Sequence, residues 1–150
     1  MKKAVFYLFV VTLFFGCSSD NSNSQDNAFV GSWKLTAFVN EATGTTLTAS
    51  DFENSNEITI DFKEGYRFDG YTVLNEFSGD YSINEPNNLL IFKNLYGSEV
   101  GETEWGYLFY DNLGLMYNIS TTAWESKFEL SDNVLKLYYS ENEYMELEKI

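Results

Sequence analysis

Apolar and polar residues alternate with a period of two through much of the chain beyond residue 28. Ile58-Thr59-Ile60-Asp61-Phe62 is one such run, and alternation of this kind puts one face of a strand on a core and the other in water. Lys63-Glu64-Gly65 reads as a turn, and Tyr66-Arg67-Phe68-Asp69-Gly70-Tyr71 alternates again, so the pair predicts a hairpin. Gly79-Asp80-Tyr81-Ser82-Ile83 leads through a turn at Asn84–Asn88, which holds the sole proline, Pro86, to the fully apolar strand Leu89–Phe92. Lys127–Leu130, a turn at Ser131–Asn133, Val134–Tyr139 and Tyr144–Glu148 complete a meander. Short strands at this spacing predict a mainly β domain, a sandwich or a barrel. One segment breaks the pattern: Trp105, Leu108, Phe109, Leu113 and Met116 fall at helical spacing behind Thr103, a natural N-cap. They predict one short helix near residues 104–118, although Gly106 and Gly114 are poor helix formers and the aromatics would also suit a strand.

The first 27 residues follow other rules. Lys2-Lys3 precede an apolar run from Ala4 to Phe15, then Gly16 and the single cysteine, Cys17. A basic start, a short apolar segment and a small residue before the cut describe a secretory leader, and a dozen apolar residues fall short of the ~20 that span a bilayer. Leu13-Phe14-Phe15-Gly16-Cys17 resembles the lipobox of bacterial lipoproteins, in which the thiol is acylated and becomes the mature N-terminus. Phe14 and Phe15 depart from the usual box; Gly16 and Cys17, its strictest positions, match. The resemblance implies a signal peptide over residues 1–16, an acylated Cys17 with a flexible Ser/Asn/Asp tether over 17–27, and one folded domain over 28–150. It implies a membrane partner reached through the N-terminal lipid, and Ser18 in place of Asp implies the outer membrane, on the periplasmic face or the cell surface.

Charge narrows the partners. The chain carries 23 acidic and 9 basic residues, for a net −14, and the leader would take two of the lysines away. Phosphate binding needs clusters of Lys and Arg, and with Arg67 as the only arginine nucleic acid is excluded. Catalysis finds few candidates. There is no histidine to act as base or metal ligand, lipidation would consume the only thiol, and neither a phosphate-binding Gly loop nor a dinucleotide fingerprint occurs. No cofactor, no metal site and no enzymatic activity are expected. Aromatic residues make up 18% of the chain; they fill the core or, alternatively, form a sugar- or lipid-binding face.

Residues 70–81 read Gly-Tyr-Thr-Val-Leu-Asn-Glu-Phe-Ser-Gly-Asp-Tyr. This resembles the signature of the META domain of bacterial envelope lipoproteins and heat-inducible proteins, roughly Gly-x-x-Gly-Cys-Asn-x-Phe-x-Gly-x-Tyr. Gly70, Asn75, Phe77, Gly79 and Tyr81 fall in step, while Val73 replaces a glycine and Leu74 the cysteine. Gly31-Ser32-Trp33 also resembles the Gly-x-Trp opening of lipocalins, with Trp33 lying across the closed end of a barrel ahead of a strand beginning at Lys34. Both resemblances imply an antiparallel lipocalin-like β-barrel or strongly curved sheet. Physically, Gly70 and Gly79 would supply special backbone conformations or close strand approach, Asn75 a left-handed turn or a ligand contact, and Phe77 and Tyr81 inward anchors. The function implied is non-catalytic, in binding or in structural or stress support of the envelope with an envelope protein as possible partner. The alternative is a carrier holding a small apolar ligand in the barrel.

Overall fold

The structure, a computed structural model, describes residues 28–98 and 100–150. The expected leader, Cys17 and the tether lie outside the described residues. Among the described residues ten strands form one antiparallel sheet: β1 (Gly31–Asn40), β2 (Thr45–Leu47), β3 (Thr59–Lys63), β4 (Arg67–Tyr71), β5 (Glu76–Asn84), β6 (Leu89–Gly97), β7 (Tyr117–Asn118), β8 (Ala123–Ser131), β9 (Val134–Tyr138) and β10 (Glu143–Lys149). Eight of them close a barrel in the order β1-β3-β4-β5-β6-β8-β9-β10, with β10 returning to pair β1. The short β2 and β7 add to β1 and β8 respectively. Between β6 and β7 lies helix α1 (Glu104–Leu115). Among the described residues the fold is therefore a mainly β barrel with a short helix in the expected region near 104–118.

Strand β1 makes closure possible. Its first residues pair β3, Gly31 opposite Phe62 and Lys34 opposite Thr59, while its last three pair β2. Its other edge pairs β10 along nearly its whole length, with Thr36 bulged out between Leu35 and Ala37. The bulge bends the strand, and the Thr36 hydroxyl donates to Glu146 O at 3.0 Å. It also changes which side chains face inward: Trp33 and Leu35 before it, Phe38 after it. β1 begins at Gly31, not at the expected Lys34, so Trp33 is itself a strand residue, paired with Ile60 on one side and Lys149 on the other.

The interior is packed with rings. Phe62 sits at the centre, 5.0 Å from Tyr81, 5.8 Å from Phe29 and 6.2 Å from Phe92 between centroids. At one end Trp33 and Phe29 are fully buried, and the Trp33 indole N–H donates to Phe29 O at 2.7 Å. At the other, α1 lays Trp105, Phe109 and Leu113 on the core, at the i, i+4, i+8 spacing of one helix face. Trp105 meets Phe38 at 5.0 Å and Phe109 meets Phe77 at 5.3 Å. Thr103 caps α1 as expected, accepting from Gly106 N at 3.2 Å. The helix ends at Leu115, three residues earlier than its pattern allowed, because Tyr117 and Asn118 turn out to pair β8.

Candidate functional site

Four of the signature residues are packing devices. Across the β4–β5 ladder Phe68 stands opposite Gly79, and Gly70 opposite Phe77. Each ring lies over the glycine facing it. A Cβ on Gly79 would meet the Phe68 ring at 2.9 Å and Lys93 O at 2.7 Å, and one on Gly70 would collide with the Phe77 ring and Thr59 O. Neither glycine has positive φ, so of the two roles expected for them, close approach is the one used. Opposite Gly79, Asn94 takes a left-handed φ of 50° at a second bulge. Tyr81 is buried against Phe62, and its hydroxyl donates to Lys63 O at 3.3 Å.

Asn75 is neither left-handed nor free for a ligand. Its side chain clamps the segment leading into α1. The amide Nδ2 donates to Val100 O at 3.1 Å and to Glu102 Oε2 at 3.0 Å, while Oδ1 accepts from Val100 N at 2.9 Å and Ser98 Oγ at 3.0 Å. Glu102 Oε2 also accepts from Thr72 Oγ1 at 2.5 Å and Leu74 N at 3.3 Å, and Oε1 from Thr103 N at 2.8 Å. Gly106 leaves the space into which the Glu102 side chain folds, since a Cβ there would overlap it. Burial pushes the Glu102 carboxyl up, but the bonds from Thr72, Asn75, Thr103 and Leu74 together outweigh it and hold the group below its ordinary 4.5.

A depressed carboxylate stabilises the fold in full above its unfolded value and loses that contribution as pH falls through its folded value. Glu102→Gln should therefore be less stable than the parent at neutral pH, with the gap narrowing below about pH 4. Urea melts of both proteins from pH 7 to pH 2.5 check this; a gap constant across that range would remove Glu102 as the titrating latch.

Little room remains inside the barrel. The apolar void lined by Ile60, Phe68, Phe77, Phe109, Met116 and Met145 measures about 10 Å³, at the lower limit for one water molecule. Space for a ligand lies outside the core. A shallow cleft of about 360 Å³ runs over the outer face of β4–β6, flanked by the exposed Tyr71 and Tyr96. Its Asp69 is already paired with Lys63, and its Ser98 hydroxyl is held by Asn75.

A second groove, of about 260 Å³, lies where α1 passes the β1–β2 hairpin and the β9–β10 turn. Phe38, Leu47 and Leu108 give it apolar walls, and Asn40, Asn112, Tyr139 and Glu143 line it with polar groups. Asn112 is only 8% exposed, yet its amide has no hydrogen-bonding partner among the described residues. The Tyr139 hydroxyl likewise has none, and burial, then the charge of Glu143, pushes it up to about 12. None of these four residues stands out in the sequence. The available signal was Asn112, a polar residue on the apolar flank of a helix, four positions from Leu108.

Among the described residues no group of three or more Asp, Glu, His or Cys is placed to hold a metal ion. No family model and no curated protein matches the chain. Solved structures do resemble it. An NMR structure of a protein from Burkholderia xenovorans superposes with a TM-score of 0.59 at 17% identity, covering 100% of this chain and 99% of the other. A crystal structure of a DUF4847 family protein from Bacteroides vulgatus gives a TM-score of 0.57 at 13% identity, over 84% of this chain and 96% of that one. Likeness at such identities is a likeness of fold.

Proposed function

We propose that this chain is a lipid-anchored outer-envelope protein whose META-like barrel is non-catalytic and acts by binding or by structural support. The observation that carries the second half is the filled interior. A carrier of small molecules needs roughly 300 Å³ or more, whereas the void among the core rings is about 10 Å³. The signature supports the META reading, because its glycines and aromatics have a joint physical reason in the crossed Phe–Gly pairs. The anchor rests on Lys2-Lys3, the apolar run and Gly16-Cys17. Several acyl chains on Cys17 would hold the protein on a membrane, at ~0.8 kcal/mol for each buried methylene.

Expression with labelled palmitate tests the anchor: the wild type should carry label in the membrane fraction, and Cys17→Ala should carry none. Equal labelling of the two would end the lipoprotein reading. A carrier is the alternative, favoured by the closed lipocalin-like barrel. With Trp105 and Trp124 replaced by Phe, fatty acids titrated into the protein should leave the emission of the wholly enclosed Trp33 unchanged. A saturable shift at micromolar ligand would instead promote the carrier.

A further inference from the structure

We propose that the groove between α1 and the β1–β2 hairpin binds a monosaccharide, a neutral pyranose whose hydroxyls are held by Asn112, Tyr139 and Glu143. The proposal deepens the binding role stated above and is independent of lipid on Cys17.

Asn112 is the starting point. A helix interior is a poor place for asparagine, and this residue is largely covered, with an amide that makes no hydrogen bond to the described residues and faces the groove. On α1 the core face is Trp105, Phe109 and Leu113, while Leu108 and Asn112 lie on the adjoining flank that borders the groove. The amide thus offers one donor side and one acceptor side to whatever occupies that space.

The other groups complete a pattern. The Tyr139 hydroxyl stays protonated throughout the physiological range and is free to donate. Glu143 is held in place from both sides: Asn40 Nδ2 donates to its Oε1 at 2.7 Å and Ser140 Oγ to its Oε2 at 2.9 Å. Each carboxylate oxygen keeps a further lone pair for a ligand hydroxyl. These polar groups surround apolar walls formed by Phe38, Leu47 and Leu108. A pyranose ring has the matching chemistry, with a rim of adjacent hydroxyls that both donate and accept, and a face of C–H groups that packs on apolar side chains.

Other occupants match less well. An anion would meet the Glu143 carboxylate on a chain of net charge −14 and find neither Lys nor Arg in the groove. A metal ion would find no cluster of ligands. A long acyl chain needs a deeper and drier site than about 260 Å³ with a polar rim. A simple cation would use Glu143 but leave the Asn112 donors and the Tyr139 hydroxyl unmet.

The test is a titration of the ¹⁵N-labelled full chain with glucose, galactose, mannose and N-acetylglucosamine, followed by two-dimensional NMR. At least one sugar should give saturable shifts in the millimolar range, concentrated at the Asn112 and Asn40 side-chain amides and the backbone of residues 139–143. Tyr139→Phe should weaken that binding about tenfold while keeping a folded spectrum. Asn112→Leu should abolish it and raise the melting temperature, because an unpaired amide gives way to an apolar group of similar size. No saturable shift with any of the four sugars overturns the proposal, as does binding that both variants retain. So does a response to spermidine without one to sugars, which would make the groove a cation site. Palmitate labelling of Cys17 is read separately, so loss of the anchor and failure of the sugar site cannot be confused.

Discussion

Trp33→Ala should lower the stability of the domain by ~3–5 kcal/mol, the usual range for removing a large buried aromatic. The indole is fully buried, and Phe29, whose carbonyl it bonds, is itself wedged 4.9 Å from Phe128 and 5.8 Å from Phe62. Above the ring stands Lys149 Nζ, 5.3 Å from the centroid, which also donates to Ala28 O at 3.0 Å. One truncation therefore loosens the residues before β1, β1 itself and the end of β10 together. Trp33→Phe should cost less, about 1–3 kcal/mol, because the ring volume mostly survives while Phe29 O loses its donor. Urea denaturation measures both, and an alanine variant as stable as the parent would show that this end of the barrel is not held by the indole.

Phe77→Ala should have an effect of the same size, ~3–5 kcal/mol, and its partner makes the prediction sharper. In the parent, Gly70→Ala places a methyl against both the Phe77 ring and Thr59 O, an overpacking expected to cost ~1–3 kcal/mol or more. With the ring already removed by Phe77→Ala, only the clash with Thr59 O remains. The second substitution should then cost measurably less than it does alone. Costs that add within about 0.5 kcal/mol would mean that ring and glycine are not one unit. The same cycle on Phe68 and Gly79 should behave alike, since Lys93 O takes the place of Thr59 O there.

The parts of the fold visible in the sequence are those with an undisturbed period. β3, β4 and β9 alternate cleanly because one face of each lies on the core and no bulge interrupts them. Helix α1 is legible from Trp105, Phe109 and Leu113 behind a threonine cap, and its unfavourable Gly106 makes sense only once Glu102 is seen folded against it. β1 is harder to read, because Thr36 shifts the inward positions from odd to even numbers midway along the strand. β5 begins three residues before the run that announced it, since Glu76 and Ser78 face outward and Gly79 leaves a gap in the alternation.

The site is a different matter. Gly70, Phe77, Gly79 and Tyr81 are recognisable as a pattern, but which ring covers which glycine is a property of the register. Asn75 was expected in a turn or on a ligand, and its actual bonds reach residues 98–102, far along the chain. The groove was invisible. Asn40 and Glu143 are 103 residues apart, and no local pattern connects them to Asn112.

That separation also governs timing. The barrel is completed by the pairing of β1 with β10, which joins Trp33 to Lys149 and Asn40 to Glu143. Every other neighbouring pair in the ring can form from segments closer in sequence, but β1 must wait until almost the whole domain is available. Contacts of such long range slow folding, and until they form β1 presents an unpaired edge to its surroundings. A chain still emerging from a ribosome is therefore held as an open sheet until its last strand arrives. A protein with this topology depends during synthesis on whatever shields that edge, and a cut that removes β10 should yield an aggregating sheet in place of a smaller, stable barrel.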